Sequence, residues 1–236
     1  MTPRPGFPAL RTAEEAPGPP KQLRSIEKRR KLLEAGRRLF GEKGYAEVSI
    51  GEITSNAGTA AGAFYQHFSS KRQFLVVLMN EFLERLAGLD LSPAVGGDVR
   101  PALRRFLTNA FRADTAYSGV IRAWQEAALT DAELGRMEKE IRKWTDARVL
   151  AVFQRLQKQP NARPGRDLPA FARMMNRHFW SLLARGSDSR RRDFEREIHV
   201  AAETIFHYLF SDRPRRSRSR GRLQARPAGA ATPDRS

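Results

Sequence analysis

Two helix-starting motifs flank a single glycine turn between residues 49 and 73, and this arrangement restricts the fold more than any other feature of the chain. Ser49-Ile50-Gly51-Glu52 is a capping box, in which the serine hydroxyl satisfies an orphan amide and the glutamate reaches back to the N–H of the cap. A helix should therefore start at Ile50, with Ile50, Ile53 and Ala57 as its buried stripe, and Gly58 allows the left-handed backbone of a tight turn. A second helix is expected from Thr59 or Ala60 through Phe68. Phe64 and Phe68, four apart, define its inward face together with Ala60 or Ala61, which directs Tyr65, Gln66 and His67 elsewhere. Ser70-Lys71-Arg72-Gln73 is a further capping box and opens a helix through Phe74, Leu75, Leu78, Phe82 and Leu86. Two short helices joined by a glycine turn and flanked by basic residues are the parts of a helix-turn-helix.

The rest of the chain also reads as helical. Leu, Ala, Glu, Arg and Lys dominate and strand-type runs of Val, Ile and Thr are missing, so the expected fold is all-α, with a small three-helix domain joined to a larger helical one in 236 residues. Residues 1–23 form a Pro-rich arm expected to be disordered, and residues 24–87 form the helix-turn-helix domain, starting with a basic amphipathic helix from Ser25 that Gly41 and Gly44 stop. Ser92-Pro93 and Gly96-Gly97 mark a linker. The larger domain, 98–210, is expected to carry helices near 99–113, 118–129, 131–158, 167–186 and 190–210, with breaks at Pro160–Gly165 and at Gly186-Ser187. The tail 211–236, rich in Arg, Ser, Pro and Gly, is expected to be disordered.

A formal net charge of +17 points to a polyanionic partner, either nucleic acid or an anionic membrane surface. Removing the seven arginines between Arg213 and Arg226 leaves +10, so the folded part is basic too; the tail itself fits equally a salt-sensitive DNA contact or a solvated segment. The absence of cysteine excludes disulfides, thiol catalysis and Cys-ligated zinc. His67, His178, His199 and His207 show no metal-binding spacing, and neither a phosphate loop nor a nucleophile-base arrangement appears, so no cofactor, metal or catalytic residue is expected. No apolar run is long enough for a membrane span and the N-terminus has no leader-like apolar core, which predicts a cytoplasmic protein without membrane contact.

From Lys31 to Leu78 the chain resembles the DNA-binding domain of the TetR (tetracycline-repressor-like) family. The resemblance is carried by Leu33, Ala35, Leu39, Phe40, Gly44, Tyr45, Ser49, Ile53, Ala57, Gly58, Gly62, Phe64, Tyr65, Phe68, Lys71 and Phe74. It implies that Ser49, Tyr65, His67 and Lys71 contact DNA phosphates. It also implies that Thr59, Ala60, Ala61, Gly62, Ala63 and Gln66 lie at the base edges of the major groove. Ala60 and Ala63 depart from the pattern, since the family often has Ser or Thr there, which leaves a methyl-lined surface suited to thymine methyls and Gln66 as its long polar reader. Lys21 and Arg24 are candidate minor-groove probes.

The resemblance further implies a homodimer on a palindromic operator and an effector pocket in the larger domain, for which an aromatic supply suits a small apolar or flat ligand. Candidate pocket residues are Phe82, Phe111, Tyr117, Trp124 and Trp144. The last two helices carry apolar residues on more than one face, so Phe171, Met175, Phe179, Leu182, Ile198, Ala202 and Ile205 are the candidate dimer interface. The function expected is a bacterial repressor released by its ligand; an activator or a ligand-independent architectural DNA binder are the alternatives.

Overall fold

A computed structural model of the chain describes residues 8–14, 17–18, 20, 22–89, 98–159, 161–185 and 191–211, apart from the side chains of 112–115 and 191. Among the described residues lie nine α-helices: α1 (Leu23–Lys43), α2 (Ile50–Asn56), α3 (Gly62–Tyr65), α4 (Lys71–Ala87), α5 (Val99–Asp114), α6 (Ser118–Thr130), α7 (Ala132–Gln157), α8 (Leu168–Arg185) and α9 (Arg191–Leu209). A 3-10 turn, Thr115–Tyr117, joins α5 to α6, and the described residues show no strand beyond one isolated bridge between Ala162 and Phe210. None of their helices is long and apolar enough to cross a membrane. Lys21, Ser92-Pro93, Gly96-Gly97, Pro160, Gly186-Ser187 and the tail beyond Ser211 lie outside the described residues.

The all-α expectation holds, and two helix boundaries in the N-terminal part differ from it. α1 begins at Leu23 and not at Ser25, passes Gly41 and ends at Gly44, the second of the two expected stops, whose φ of 84° turns the chain while its N–H bonds to the Phe40 carbonyl at 3.1 Å. The second helix of the turn motif is much shorter than Ala60–Phe68. It occupies Gly62–Tyr65 because no side chain caps it, Gly62 weakens its first turn, and its flanking bonds (Ala63 N–H to Ala60 O, His67 N–H to Phe64 O) have the tighter 3-10 spacing.

The described residues form two hydrophobic cores. The first joins α1, α2, α3 and α4 to the whole of α6, the start of α7 and the end of α8, through residues such as Phe40, Phe82, Trp124, Ile141 and Trp180. The second joins α5, the later half of α7, α8 and α9 through Leu107, Phe153, Phe171 and Ile205. The helix-turn-helix domain is thus rooted in α6 by a continuous core. Such contact makes the position of α1 dependent on that of α6.

The described residues of the Pro-rich arm before Leu23 form no helix, but residues 8–14 are not a free tail. Leu10 is buried against α4, where the Asn80 amide accepts its N–H at 3.0 Å and donates to its carbonyl at 2.9 Å. Further along, the Ala13 N–H bonds to Glu133 at 2.7 Å, and the Glu14 carboxylate accepts from Ser69, Ser70 and Arg72. Proline content forbids a helix there; it does not prevent a short extended segment from finding partners on a finished surface.

Candidate nucleic-acid interface

The platform for the interface is an aromatic cluster. Phe64 and Phe68 pack 5.3 Å apart, and the Phe74 ring of α4 meets them at 5.4 and 4.7 Å. Gly36 of α1 admits that ring, since a Cβ there would stand 2.3 Å from its edge. At the other end of the motif the predicted capping box forms in full: Ser49 Oγ accepts the Glu52 N–H at 3.1 Å, and Glu52 accepts the Ser49 N–H at 2.9 Å. Gly58, at φ 64°, then reverses the chain, with the Thr59 N–H bonded to the Thr54 carbonyl at 2.9 Å.

On this platform Ala60, Ala61, Gly62, Tyr65 and Gln66 are exposed in one short stretch. Thr59 is half-buried and its hydroxyl faces the Thr54 carbonyl at 3.4 Å, so it does not cap α3. Ala63 does not belong to the reading surface: it is buried in the turn, because its position in the one-turn helix faces inward beside Phe64. Arg24 is exposed on the first turn of α1.

The residues expected at phosphates are not equivalent. Tyr65 is 57% exposed, and the neighbouring Gln66 is exposed too. The Ser49 hydroxyl is spent on Glu52, as acceptor for its N–H and donor to its carboxylate. Lys71 Nζ donates to the Tyr45 and Val48 carbonyls at 2.9 Å and sits 4.5 Å from the Tyr45 ring centre, which explains a cation at a helix N-terminus without a phosphate. His67 is buried with neither ring nitrogen hydrogen-bonded, and burial, with Arg29 and Lys28 nearby, holds its imidazole below the ordinary value.

Two basic residues missing from the expected set, Lys28 and Lys31, join the expected Arg24 on this surface. Arg24, Lys28 and Lys31 stand at i, i+4 and i+7 along α1, exposed, whereas Arg30 on the adjacent stripe is neutralised by Glu27 at 3.0 Å and Glu34 at 3.2 Å. α1 packs against α3, and Arg29, next to Lys28, stands 5.3 Å from the Phe68 ring centre, so this stripe borders the C-terminal end of α3. An exposed row of small residues, one tyrosine and one glutamine beside unpaired cations is suited to a groove walled by phosphates.

Three contacts tie that surface to the rest of the molecule, and sequence reading found none of them. Glu126 of α6 accepts the N–H groups of Tyr45 at 2.8 Å and Ala46 at 2.9 Å, holding the loop between α1 and α2. Arg122 donates to the Gly41 carbonyl at the end of α1 at 2.7 Å and to the Ala184 carbonyl at the end of α8 at 3.1 Å. Gly119 lies against Gly41. Glu126 reads as ordinary helix surface in sequence because its partners are backbone amides about 80 residues away.

A cavity of about 110 Å³ lies in the larger helical part, walled by α5, α7, α8 and α9 and reaching Leu86 and Leu89. Phe111 lines it; the other four pocket candidates do not. Phe82 packs against Tyr117 and Trp180 in the first core, the Tyr117 hydroxyl accepts from Arg37 at 3.2 Å, the buried Trp124 indole donates to Glu138 at 2.8 Å, and Trp144 stacks with Arg148. Unpredicted lining residues include Phe106, Arg148, Asn176 and Trp180.

The dimer candidates also move inward. Phe171, Met175, Leu182, Ile198, Ala202 and Ile205 are buried within the chain's own second core, and Phe179 and Ile205 line the cavity. α9 packs on α5 and α8 on α7, so the second apolar side of each helix is covered internally. The large apolar side chains left exposed on α8 and α9 are Met174, at 51%, and Val200, at 61%.

Residues 32–78 match the family described as bacterial regulatory proteins, tetR family. Over 190 residues the chain is 29% identical to the HTH-type transcriptional repressor AcnR of Corynebacterium diphtheriae, an alignment covering 75% of this chain and 91% of that protein. Among solved structures, a putative transcriptional regulator from Saccharomonospora viridis in complex with choline superposes with a TM-score of 0.63 at 19% identity, covering 78% of this chain and 98% of the other. The SmeT–triclosan complex, of the Stenotrophomonas maltophilia efflux-pump repressor, superposes with a TM-score of 0.60 at 21% identity, covering 78% and 92%. At these identities the structural likeness is one of fold.

Proposed function

We propose that this chain, whose residues 32–78 match the tetR family of bacterial regulatory proteins, is a transcriptional repressor that binds a palindromic operator as a homodimer and is released by a small molecule. The observation that carries the reading is the exposed row Ala60, Ala61, Gly62, Tyr65 and Gln66, held on an aromatic platform beside the bare cations of α1. One such short helix reads few base pairs. Two copies related by a twofold axis read half-sites about one helical turn apart, roughly 34–36 Å, which favours a dimer. The exposed sides of α8 and α9, with Met174 and Val200, supply the apolar surface for it.

Release is a matter of linkage. A ligand that binds one arrangement of the helices better than the other shifts the population toward it by that difference in affinity and no more. The cavity between α5, α7, α8 and α9 is the effector site in this reading, and triclosan and choline in relatives of the same fold illustrate that such folds accept small molecules. The effector opens the cavity, and α4, α6 and α8 carry the change to the interface through the Leu86, Glu126 and Arg122 contacts. The place of action is the cytoplasm, where the DNA lies.

The test is a footprint of the full-length protein on the DNA upstream of its own gene. A discrete protected palindrome is expected, lost when Tyr65→Ala and Lys28→Ala are combined. Uniform, salt-sensitive coverage without boundaries would instead identify an architectural binder.

A further inference from the structure

We propose that the cavity between α5, α7, α8 and α9 takes an apolar molecule ending in one anionic group, a monocarboxylate or its equivalent, and that Arg148 recognises that group. The proposal rests on reading this cavity as the effector site. Its walls are apolar, with Phe106, Phe111, Val149, Phe179 and Leu183 prominent, and its polar groups are Thr145, Arg148 and Asn176.

Two of those three are already satisfied. The Asn176 amide donates to Thr145 Oγ1 at 2.9 Å and to Asp146 Oδ1 at 2.6 Å, and the Thr145 hydroxyl lies 3.0 Å from the Ile141 carbonyl to which it donates. Arg148 differs. Its half-buried guanidinium stands 5.1 Å from the Trp144 ring centre and donates to the Leu86 carbonyl at 3.2 Å, and no acid among the described residues pairs with it. Three other half-buried arginines meet carboxylates: Arg72 meets Glu14, Asp131 and Glu133, Arg37 meets Glu81, and Arg142 meets Glu138. Among the described residues burial alone acts on Arg148, lowering its basicity.

A guanidinium at the edge of an apolar chamber selects by charge. A carboxylate forms two parallel charge-assisted hydrogen bonds with it, a neutral end group at most one weak bond, and a cationic end group is repelled. The chamber, at about 110 Å³, is smaller than the roughly 300–1,000 Å³ of ordinary ligand pockets, so the apolar body must part the helices to enter. The same event draws Arg148 from the Leu86 carbonyl in the last turn of α4, the helix that starts beside the DNA-reading segment. The group that chooses the ligand is thereby the one that holds α4.

The experiment compares matched acids and alcohols: sodium octanoate with octan-1-ol, and 2-naphthoate with 2-naphthol. Each is titrated into the full-length protein by calorimetry and by fluorescence of Trp180 and Trp144, and into its operator complex by anisotropy. Each acid is expected to bind the native protein about 10- to 100-fold more tightly than its alcohol, as for a hydrogen-bonded charge. That preference should vanish in Arg148→Gln, persist in part in Arg148→Lys, and all binding should fall in Leu183→Trp, which fills the chamber. If the alcohols bind and release the operator as well as the acids do, or Arg148→Gln keeps the preference, the assignment of Arg148 is wrong while the effector cavity stands. If none of the four compounds binds the native protein or loosens the operator complex, the effector reading falls and this inference with it.

Discussion

Gly119 of α6 meets Gly41 of α1 so closely that a Cβ on Gly119 would lie 2.3 Å from the Gly41 Cα and 2.5 Å from its nitrogen. Both obstacles are backbone, so no side chain can swing aside. α1 carries the cation stripe of the proposed DNA surface and α6 belongs to both the first core and the link to α8, which makes this crossing the place where the two parts of the molecule set each other's position.

Gly119→Ala should therefore push α1 away from α6. A loss of about 1–3 kcal/mol is expected, the usual cost of overpacking a close contact, together with weaker operator binding. Chemical denaturation and anisotropy on the same preparation check it; an unchanged midpoint would mean that the crossing is not tight in solution.

Glu126→Ala removes the acceptor for the Tyr45 and Ala46 amides. Because the carboxylate is exposed, the stability cost should be small, about 1 kcal/mol. Operator affinity should fall more than stability does, since the freed loop leads into α2. Equal losses in the two assays would assign Glu126 a purely structural part.

Glu52 lends itself to an acid titration. Hydrogen bonds from Lys43 and from the Ser49 backbone and hydroxyl hold its carboxyl at about 2, below the ordinary 4.5. A folded value beneath the unfolded one means that its contribution is complete above pH 4.5 and is lost as the pH falls toward about 2. Unfolding midpoints of Glu52→Gln should decline less steeply than the native ones across that window; parallel declines would refute the assignment.

For His67 the direction is set by burial first and by Arg29 and Lys28 next, all of which disfavour the imidazolium. The unfolded chain binds the proton more readily, so native stability should drop as the pH falls below 6.5. His67→Phe removes two buried nitrogens that have no partner, and it should flatten this drop in melting experiments above and below pH 6.5. A variant as acid-sensitive as the native protein would place the sensitivity elsewhere.

Gln66→Ala addresses base reading. With Ala60, Ala61 and Gly62 offering no side-chain donor, Gln66 is the long polar side chain on the exposed row. Its loss should cost about 1–3 kcal/mol at one base position and little at the others, measured against a set of single-base operator variants. An unaltered preference profile would leave shape and methyl contacts as the source of specificity.

Local chemistry carried a good deal of this in advance. Ser49 and Glu52 specify a helix start between neighbours three apart, Gly58 specifies a left-handed turn, and the later apolar periodicity marks five helices whose ends fall within a residue or two of α5 to α9. Where expectation and structure part, the deciding partner is remote. The Lys71 amine, expected at a phosphate, donates to the Tyr45 and Val48 carbonyls, and Leu10, expected in a free arm, is held by Asn80. Trp124 is as aromatic as a pocket residue should be, yet it packs in the first core with its indole on Glu138.

The sequence by itself determined the helices, the turn between α2 and α3, and the small-residue row that ends in Tyr65 and Gln66, because caps, glycine and apolar spacing act over a few residues along the chain. Only the tertiary structure decided that α6 is bound to α1, that the apolar faces of α8 and α9 are used within the chain, and that Arg148 stands at a cavity where no described acid pairs with it. Those outcomes depend on which surfaces meet after the helices pack, and charge or burial at a contact between distant residues leaves no periodic trace in the order of residues.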